Sequence, residues 1–261
     1  MAQDIENLTN PDYVQSLARG LSVITSFSAQ NPVMTLTEVA EKSNLTRATA
    51  RRFLLTLEKL GYVRSEGKNF SLTPKVLELG FSYISSLGLT EIISPHLATL
   101  AAQVQESASA AILDGSDIVY IARTAGRKIM QVQINLGTRF PAYATSMGRV
   151  LLAGLDQSKG QDLIALSSPQ QLTQFTKTGA EELTLELNNV KSQGYACVDQ
   201  ELEIGLRSLA VPVHNKTGGV IAAINVSTTS SASIEQTIAE LSGPLKECAQ
   251  SIEKDLKLSG M

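Results

Sequence analysis

Apolar residues recur at the three- and four-residue spacing of amphipathic helices through the first quarter of the chain. From Tyr13 this spacing predicts a first helix with one buried face, and Asn31 and Pro32 end the pattern. A short second helix follows, capped by Thr35 or Thr37 and ending near Asn44, with Val39 and Ala40 turned inward. The residues predicted to form the buried face of the first helix are Val14, Leu17, Leu21, Ile24 and Phe27.

A third helix is predicted from Thr46, a plausible N-cap, to Gly61, which ends it. Its packing face consists of Ala50, Phe53, Leu54, Leu57 and Leu60. Residues 62–64 and 69–72 then alternate around a Glu66-Gly67-Lys68 turn, which is typical of a β-hairpin. Three helices followed by a hairpin predict a winged helix-turn-helix over residues 13–73, preceded by a flexible arm over 1–12.

The segment 74–88 is predicted to be a linker helix, because its apolar residues surround most of the helical cylinder. We expect it to pack on both domains or on a second subunit, and Gly88 marks the domain boundary. Residues 89–261 show both helical and strand-like patterns of apolar residues. Strand-like runs, among them residues 108–113, 117–124 and 129–136, alternate with helical periods, which predicts an antiparallel sheet with flanking helices and an α+β fold overall.

The net charge of the whole chain argues against binding to nucleic acid, because 22 Lys and Arg residues are outnumbered by 25 Asp and Glu residues. The distribution reverses this conclusion. Residues 46–75 hold seven basic and two acidic side chains, a local excess of five positive charges that matches a phosphate-binding face. Basic and short side chains share the exposed side of the third helix, as major-groove recognition requires. The predicted DNA-binding residues are Thr46, Arg47, Ala48, Thr49, Arg51 and Arg52, with Arg64 and Lys68 of the hairpin on phosphates. The competing interpretation is that these residues are only the solvent-exposed face of an amphipathic helix. The arrangement of three helices followed by a hairpin argues against it.

Enzyme chemistry has little support. Two cysteines and two histidines are too few for a multi-ligand Cys/His metal centre, and we expect neither a metal nor another cofactor. Glycine-rich phosphate loops are absent from the sequence. Cys197 and His214 lie in apolar strand-like segments without an orienting group, so a buried structural cysteine is favoured over a nucleophile. Asp199, Glu201 and Glu203 alternate along a predicted strand, which indicates a solvated or ligand-facing edge.

The segment 137–155 is the most suggestive part of the second domain. Gly137 and Pro141 fix a loop that leads into a helix, and the first backbone N–H groups of a helix lack intrahelical partners. The amides of Ser146, Met147 and Gly148 could therefore hold a carboxylate without a cationic side chain. An ordinary N-cap by Thr145 or Ser146 explains the same residues equally well. No apolar run is long enough to span a bilayer and no leader pattern is present, so we expect a cytoplasmic protein.

Four stretches resemble the isocitrate lyase regulator (IclR) family of bacterial transcription factors. They are SLARGLSVI, LTRATARRFLLTLEKLGYV, GTRFPAYATSMGRVLLA and GYACVDQELEIGLRSLAVPV followed by GVIAAINVS. The first and third of these stretches are especially similar in sequence to the subgroup that controls the protocatechuate and 4-hydroxybenzoate branches of aromatic degradation. The resemblance covers nearly the whole chain from Tyr13. It implies a winged helix-turn-helix, a linker helix and a GAF-like effector domain, assembled as dimers or dimers of dimers.

The resemblance also implies an effector cavity formed by Phe140, Tyr143, Thr145, Ser146, Met147, Gly148, Val198, Asp199 and Ser208. Members that respond to two- or three-carbon acids have an acidic residue and a cysteine where this sequence has Val198 and Ser208. The cavity of this protein is thus expected to have a less polar lining than theirs, and an apolar lining suits the ring of an aromatic acid. The sequence thus predicts a regulator that binds a palindromic operator and responds to an aromatic acid. Alternatives are a different small organic acid, a constitutive DNA-binding oligomer, and an enzyme fused to a DNA-binding domain.

Overall fold

The computed structural model describes residues 12–80, 88–126 and 134–259. The chain divides into two compact units, Met1–Tyr83 and Ile84–Met261. Within the described residues, no helix combines the length and the apolar character needed to cross a membrane. The predicted arm lies outside these ranges except for Asp12.

The N-terminal unit contains three helices and a three-stranded antiparallel sheet with the strand order β1-β3-β2. Its elements are α1 (Gln15–Thr25), β1 (Val33–Thr35), α2 (Leu36–Lys42), α3 (Arg47–Lys59), β2 (Val63–Glu66) and β3 (Asn69–Leu72). The core contains Val23, Phe27, Met34, Val39, Leu54, Leu57 and Val63. This is the predicted winged helix-turn-helix with one added strand, since β1 pairs with β3 and was not predicted.

Local chemistry explains where α2 begins. Of the two candidate caps, Thr35 is correct: its hydroxyl accepts from the Glu38 amide, while the Glu38 carboxylate accepts from the Thr35 amide at 2.7 Å. This reciprocal capping box satisfies two donors that the helix start would leave unpaired. The hydrogen bond from the Thr35 backbone also lowers the pKa of Glu38. Val39 and Ala40 are buried, as predicted.

The predicted buried face of the first helix is wrong at three of its five residues, while Phe27 is buried and Ile24 packs against the same core. Val14, Leu17 and Leu21 are 59%, 63% and 49% exposed, and Val23 is the buried residue of this helix. The helix approaches α3 through Gly20, which lies over Phe53, so the apolar stripe points away from the core of its own unit. In α3, Leu60 is also exposed rather than packed, because it follows the last helical turn.

The linker prediction is only partly covered by the described residues. Pro74–Val76 forms a 3-10 turn and residues 77–80 are helical, with Leu77 and Leu79 exposed. Residues 81–87 lie outside the described ranges. Most of the strand predicted at 129–136 also lies outside them, and residues 134–136 are not in a strand.

The C-terminal unit is built on a six-stranded antiparallel sheet with the strand order β6-β5-β4-β9-β8-β7. Helices α4 and α8 cover one face, and α5, α6 and α7 lie on the other. Its elements are α4 (Leu89–Val104), β4 (Ser107–Asp114), β5 (Asp117–Thr124), β6 (Arg139–Pro141), a 3-10 turn (Ala142–Ala144), α5 (Ser146–Ala153), α6 (Gln157–Ser167), α7 (Ala180–Gln193), β7 (Ala196–Asp199), β8 (Leu206–His214), β9 (Val220–Thr229) and α8 (Ile234–Leu258).

Strand alternation divides the sheet residues between two cores. Along β9, Ala222, Ile224 and Val226 belong to the core beneath α4 and α8. Ala223 belongs to the core beneath α5 and α7, and Asn225 and Ser227 follow it on that face. The face beneath α5 therefore becomes polar toward the end of β9.

Candidate functional site

The third helix presents its basic residues to solvent. Arg47, Arg51 and Arg52 are exposed, and none of the three forms an ion pair with any residue that the structure describes. Ala48, also exposed, lies beside them. Unpaired guanidinium groups on the first turns of an exposed helix are suited to phosphates and base edges.

Thr46 and Thr49 hold the start of this helix. The Thr46 hydroxyl accepts from the Thr49 amide at 3.3 Å and lies 2.9 Å from the Thr49 hydroxyl, so the predicted N-cap is confirmed. Both hydroxyls are engaged within the protein. Their main structural contribution is to fix where the arginines begin.

The hairpin forms a wing beside this helix. Glu66 faces Asn69 in the β2-β3 register, and Gly67 has a φ of +65°, which favours glycine in the tight turn. Lys68 is exposed at its tip. Arg64 is also exposed, and its Nε donates to the Ser71 hydroxyl at 3.0 Å and lies 3.7 Å from the Glu66 carboxylate. Arg64 is thus held by neighbouring side chains of the wing, whereas the Lys68 side chain is exposed at its tip.

The start of α5 is capped by Thr145, whose hydroxyl accepts from the Gly148 amide at 3.1 Å. One of the three amides predicted to hold an anion is thus occupied. The amides of Ser146 and Met147 make no hydrogen bond to another residue in the described ranges. Beside them, the Ser146 hydroxyl lies 2.8 Å from the Ser208 hydroxyl. The N-cap by Thr145 is therefore confirmed, and the anion site at the remaining two amides stays a prediction.

Gly148 contributes through packing. A Cβ built on it would lie 2.1 Å from the Ala142 carbonyl oxygen and 2.4 Å from the Ala142 Cα. Such contacts with backbone cannot be relieved by a rotamer change. The absence of a side chain at 148 allows α5 to lie directly against the preceding 3-10 turn.

Further polar residues, which the sequence analysis does not predict, lie on the strands next to Ser208. Ser208 faces Val198 on β7 and Ser227 on β9. The Asn225 Nδ2 donates to the Ser227 hydroxyl at 3.1 Å, and both residues are buried. Ser109 of β4, which is 2% exposed, faces Asn225. Their signal in the sequence is the interruption of the apolar run in GVIAAINVS by Asn225 and Ser227.

The other predicted effector residues fall into two groups. Val198 and Met147 are buried and apolar, Phe140 contacts Tyr120 edge to face, and the Tyr143 hydroxyl is hydrogen bonded to both the amide and the carbonyl of Gln170. Val198 pairs with Ser208 and so lies beside the start of α5, whereas Phe140 lies on β6, at the edge of the sheet opposite β7.

Asp199 does not join them. Strand alternation turns it to the opposite face of the sheet, where its carboxylate accepts from Arg207 Nε at 2.8 Å. Arg207 also donates to Ala232 and Thr237 at the start of α8. The pair links β7 to α8, and Asp199 therefore has a structural partner rather than a position beside Ser146.

The expectation that Asp199, Glu201 and Glu203 share one strand edge is wrong, because β7 ends at Asp199. Glu201 is 4% exposed and accepts from Arg149 Nη2 at 2.6 Å and from the Lys177 amide at 2.9 Å. Arg149, which is 1% exposed, also donates to the Tyr143 carbonyl at 2.9 Å. This buried ion pair connects α5 to the segments on either side of α7.

Cys197 and His214 form no catalytic pair. Burial raises the pKa of the Cys197 thiol to about 11, which keeps it protonated at neutral pH. The His214 Nδ1 lies 2.7 Å from the Glu253 carboxylate on α8. Cys248 is also buried, with a pKa raised to about 11. Among the described residues, no three His, Cys, Asp or Glu side chains cluster as metal ligands.

Comparison with known proteins identifies the family. Residues 16–67 match the IclR helix-turn-helix domain, and residues 81–254 match the C-terminal domain of the bacterial transcriptional regulator IclR. The chain belongs to the IclR family. It is a transcriptional regulator and not an enzyme, and its α+β architecture is the one that the sequence predicts.

Individual relatives support the assignment of this chain to the IclR family. It is 43% identical over 84% of its length to the Pca regulon regulatory protein of Pseudomonas putida, of which 76% is covered. It is 35% identical over 84% of its length to the p-hydroxybenzoate hydroxylase transcriptional activator of Acinetobacter baylyi, of which 83% is covered. A crystal structure of a transcriptional regulator from Rhodococcus sp. RHA1 superposes with a TM-score of 0.85 at 50% identity, covering 95% of this chain and all of that one.

Proposed function

We propose that this IclR-family regulator binds a palindromic operator through α3 and the wing, and that an aromatic acid such as 4-hydroxybenzoate or protocatechuate changes its operator affinity. Catabolic genes for aromatic compounds are the targets that fit this effector. We also expect the protein in the cytoplasm, where operator DNA is found. The observation that carries the effector proposal is the start of α5, where two unbonded amides and a serine pair lie among buried apolar side chains.

The physical case for an aromatic acid has two parts. Orphan amides at a helix start favour a carboxylate, through both hydrogen bonding and the helix dipole. The residues around them, including Val198 and Met147, offer apolar contact that a ring can use and a two-carbon acid cannot. The names of the Pseudomonas and Acinetobacter relatives, which refer to the Pca regulon and to p-hydroxybenzoate hydroxylase, support the same class.

Operator recognition assigns different roles to the helix and the wing. We expect Arg47→Ala or Arg51→Ala to weaken binding to a specific operator by about 1–3 kcal/mol, because an arginine that reads a guanine loses two hydrogen bonds. Lys68→Ala should weaken binding to all duplexes alike and flatten the salt dependence, because a phosphate contact carries no sequence information. Mobility-shift titrations on specific and scrambled duplexes at several salt concentrations measure both effects.

Lys59→Ala is the matched control for this titration, since Lys59 is an exposed cation on the last turn of the same helix. It should bind the operator like the wild type. If the variants at Arg47, Arg51 and Lys68 also bind like the wild type, α3 is not the recognition helix.

We further propose a homodimer or a dimer of dimers. The exposed stripe of α1 (Val14, Leu17 and Leu21) and the exposed Leu77 and Leu79 offer apolar surface for a second chain. A palindromic operator also needs two recognition helices about 34 Å, or a multiple of it, apart. Counting chains per duplex in the same titration tests this proposal, and one chain on a full palindrome would contradict it.

The effector proposal predicts a dependence on charge. We expect 4-hydroxybenzoate to change operator affinity by about 5–150-fold, the usual range of allosteric coupling, and 4-hydroxybenzyl alcohol to have no comparable effect. Ser146→Pro should abolish the response, because proline at the first helical position removes one amide donor at little cost to the helix. Ser146→Ala is its matched control, since it removes the hydroxyl and keeps the amide.

Fluorescence anisotropy of a labelled operator, with and without each compound, reports these responses. Equal effects of the alcohol and the acid would rule out the anion site at α5. A response to a different small organic acid alone would favour another effector class. Unchanged operator affinity with every compound would favour the constitutive oligomer.

A further inference from the structure

Arg149 is the least exposed of the charged residues that the structure describes, at 1%. It lies three positions after Ser146 on α5, so both side chains leave the first turn of the helix on the same side. The Ser146 hydroxyl lies 2.8 Å from the Ser208 hydroxyl on β8. Arg149 Nη2 lies 2.6 Å from the carboxylate of Glu201, in the loop that leads into β8. The start of α5 is therefore held to one stretch of chain at two points.

The loop that joins β7 to β8 is closed by its own hydrogen bonds. The Gln200 amide donates to the Leu206 carbonyl at 2.7 Å, and the Gln200 side chain accepts from the Gly205 amide at 3.1 Å. Gln200 has a φ of +59°, and a residue other than glycine keeps such a conformation only where its surroundings hold it. The loop is therefore a rigid unit, and the position of Glu201 sets that of Ser208 on β8.

The same guanidinium also reaches the turn before α5. Arg149 Nε donates to the Tyr143 carbonyl at 2.9 Å, two residues before the cap at Thr145. Arginine can hold several acceptors in fixed directions, because its donors lie on a rigid planar fork. Stability alone is a weak reason for its pair with Glu201, since buried ion pairs are often replaced by apolar residues without loss. The two acceptors belong to the segments that precede α5 and β8, which indicates that Arg149 aligns these segments.

We propose that Arg149 and Glu201 are positioning residues of the effector site at the start of α5. Their ion pair holds the free amides of Ser146 and Met147 beside Ser208, so that a carboxylate meets donors that are already in place. Neither side chain contacts the effector, and both act through the segments that they hold. The inference rests on the proposed function, since the site that the pair organises is the one proposed there.

The double variant Arg149→Met with Glu201→Leu separates positioning from stability, because it removes both charges and leaves neither of them buried alone. We expect calorimetric titration of the folded, full-length double variant with 4-hydroxybenzoate to show binding about 10–100-fold weaker than in the wild type, the effect of removing groups that orient metal ligands. Affinity for operator DNA without the acid should match the wild type, because both residues lie in the C-terminal unit.

Lys177→Met is the matched control. The Lys177 Nζ pairs with Glu186 on α7 at 2.8 Å, whereas the backbone amide, which donates to Glu201, is kept in the variant. The control removes a charge from the same neighbourhood and leaves the pair of Arg149 and Glu201 intact, so it should bind 4-hydroxybenzoate like the wild type. Arg149→Lys serves if the double variant does not fold. It keeps the charge but cannot bond Tyr143 and Glu201 together, and it should also weaken binding.

Amide hydrogen exchange of the ligand-free proteins gives a second readout. Residues 145–148 and 200–208 should exchange faster in the double variant than in the wild type, while β9 exchanges at the wild-type rate. A folded double variant that binds 4-hydroxybenzoate with wild-type affinity, or exchanges at the wild-type rate in both segments, would overturn the inference alone. If the wild type binds no aromatic acid, the proposed function fails together with the inference.

Discussion

Gly148→Ala should lower the free energy of unfolding of the C-terminal unit by about 3 kcal/mol or more, at the upper end of the overpacking range. The added methyl group would lie 2.1 Å from the Ala142 carbonyl oxygen, far inside contact distance. The Ala142–Ala144 turn cannot retreat easily, because Ala142 accepts from the Thr145 amide and Thr145 in turn caps α5. Urea unfolding followed by circular dichroism measures the loss.

Gly20→Ala is the control for Gly148→Ala. Gly20 is also inside a helix, and a methyl group there would lie 3.7 Å from the Phe53 ring, an ordinary contact. Alanine is a better helix former than glycine, so we expect a change between zero and a gain of about 1 kcal/mol. Unaltered stability of the Gly148 variant would mean that α5 can shift away from the turn.

Arg149→Met should cost about 3–5 kcal/mol of stability, because it leaves the Glu201 carboxylate buried without its cation. The two side chains are 2% and 5% exposed, and Arg149 Nη2 lies 2.6 Å from Glu201 Oε2. The Lys177 amide would remain as a donor to the same oxygen, but a single neutral donor does not replace a guanidinium. Thermal and urea unfolding both report this difference.

A double variant distinguishes the unpaired charge from lost packing. Arg149→Met combined with Glu201→Leu removes both charges, and buried pairs replaced by apolar residues of similar size are often neutral. We expect the double variant to recover most of the stability that the single variant loses. If the double variant is as unstable as the single one, the hydrogen bond from Arg149 to the Tyr143 carbonyl matters more than the ion pair.

The features that the sequence predicts correctly are local ones. The caps at Thr35 and Thr46 and the turn at Gly67 depend on residues within three positions of one another. The start of α5 is of the same kind, and Thr145 was one of its two candidate caps. Such chemistry can be read from spacing because the partners are fixed by the backbone of a single element.

The features that it misses depend on distant partners. Arg149 and Glu201 are 52 positions apart, and no periodicity indicates that a helix and a post-strand loop will bury them together. The stripe of α1 has the period of a buried face, but periodicity does not say whether the covering surface belongs to the same chain. Asp199 follows Val198 on β7, so strand alternation turns the two side chains to opposite faces, but only the assembled sheet shows that Asp199 pairs with Arg207 on β8.

Strand β9 lies in the interior of the sheet, between β4 and β8, and its successive side chains belong to two different environments. Ala222, Ile224 and Val226 pack beneath α4 and α8, while Asn225 and Ser227 face α5. Substitutions at 225 and 227 therefore change the polarity of the sheet face beneath α5 without enlarging or crowding the larger core. The polarity of one sheet face and the packing of the larger core are thus set by different residues of the same strand, and each can be altered by mutation while the other is kept.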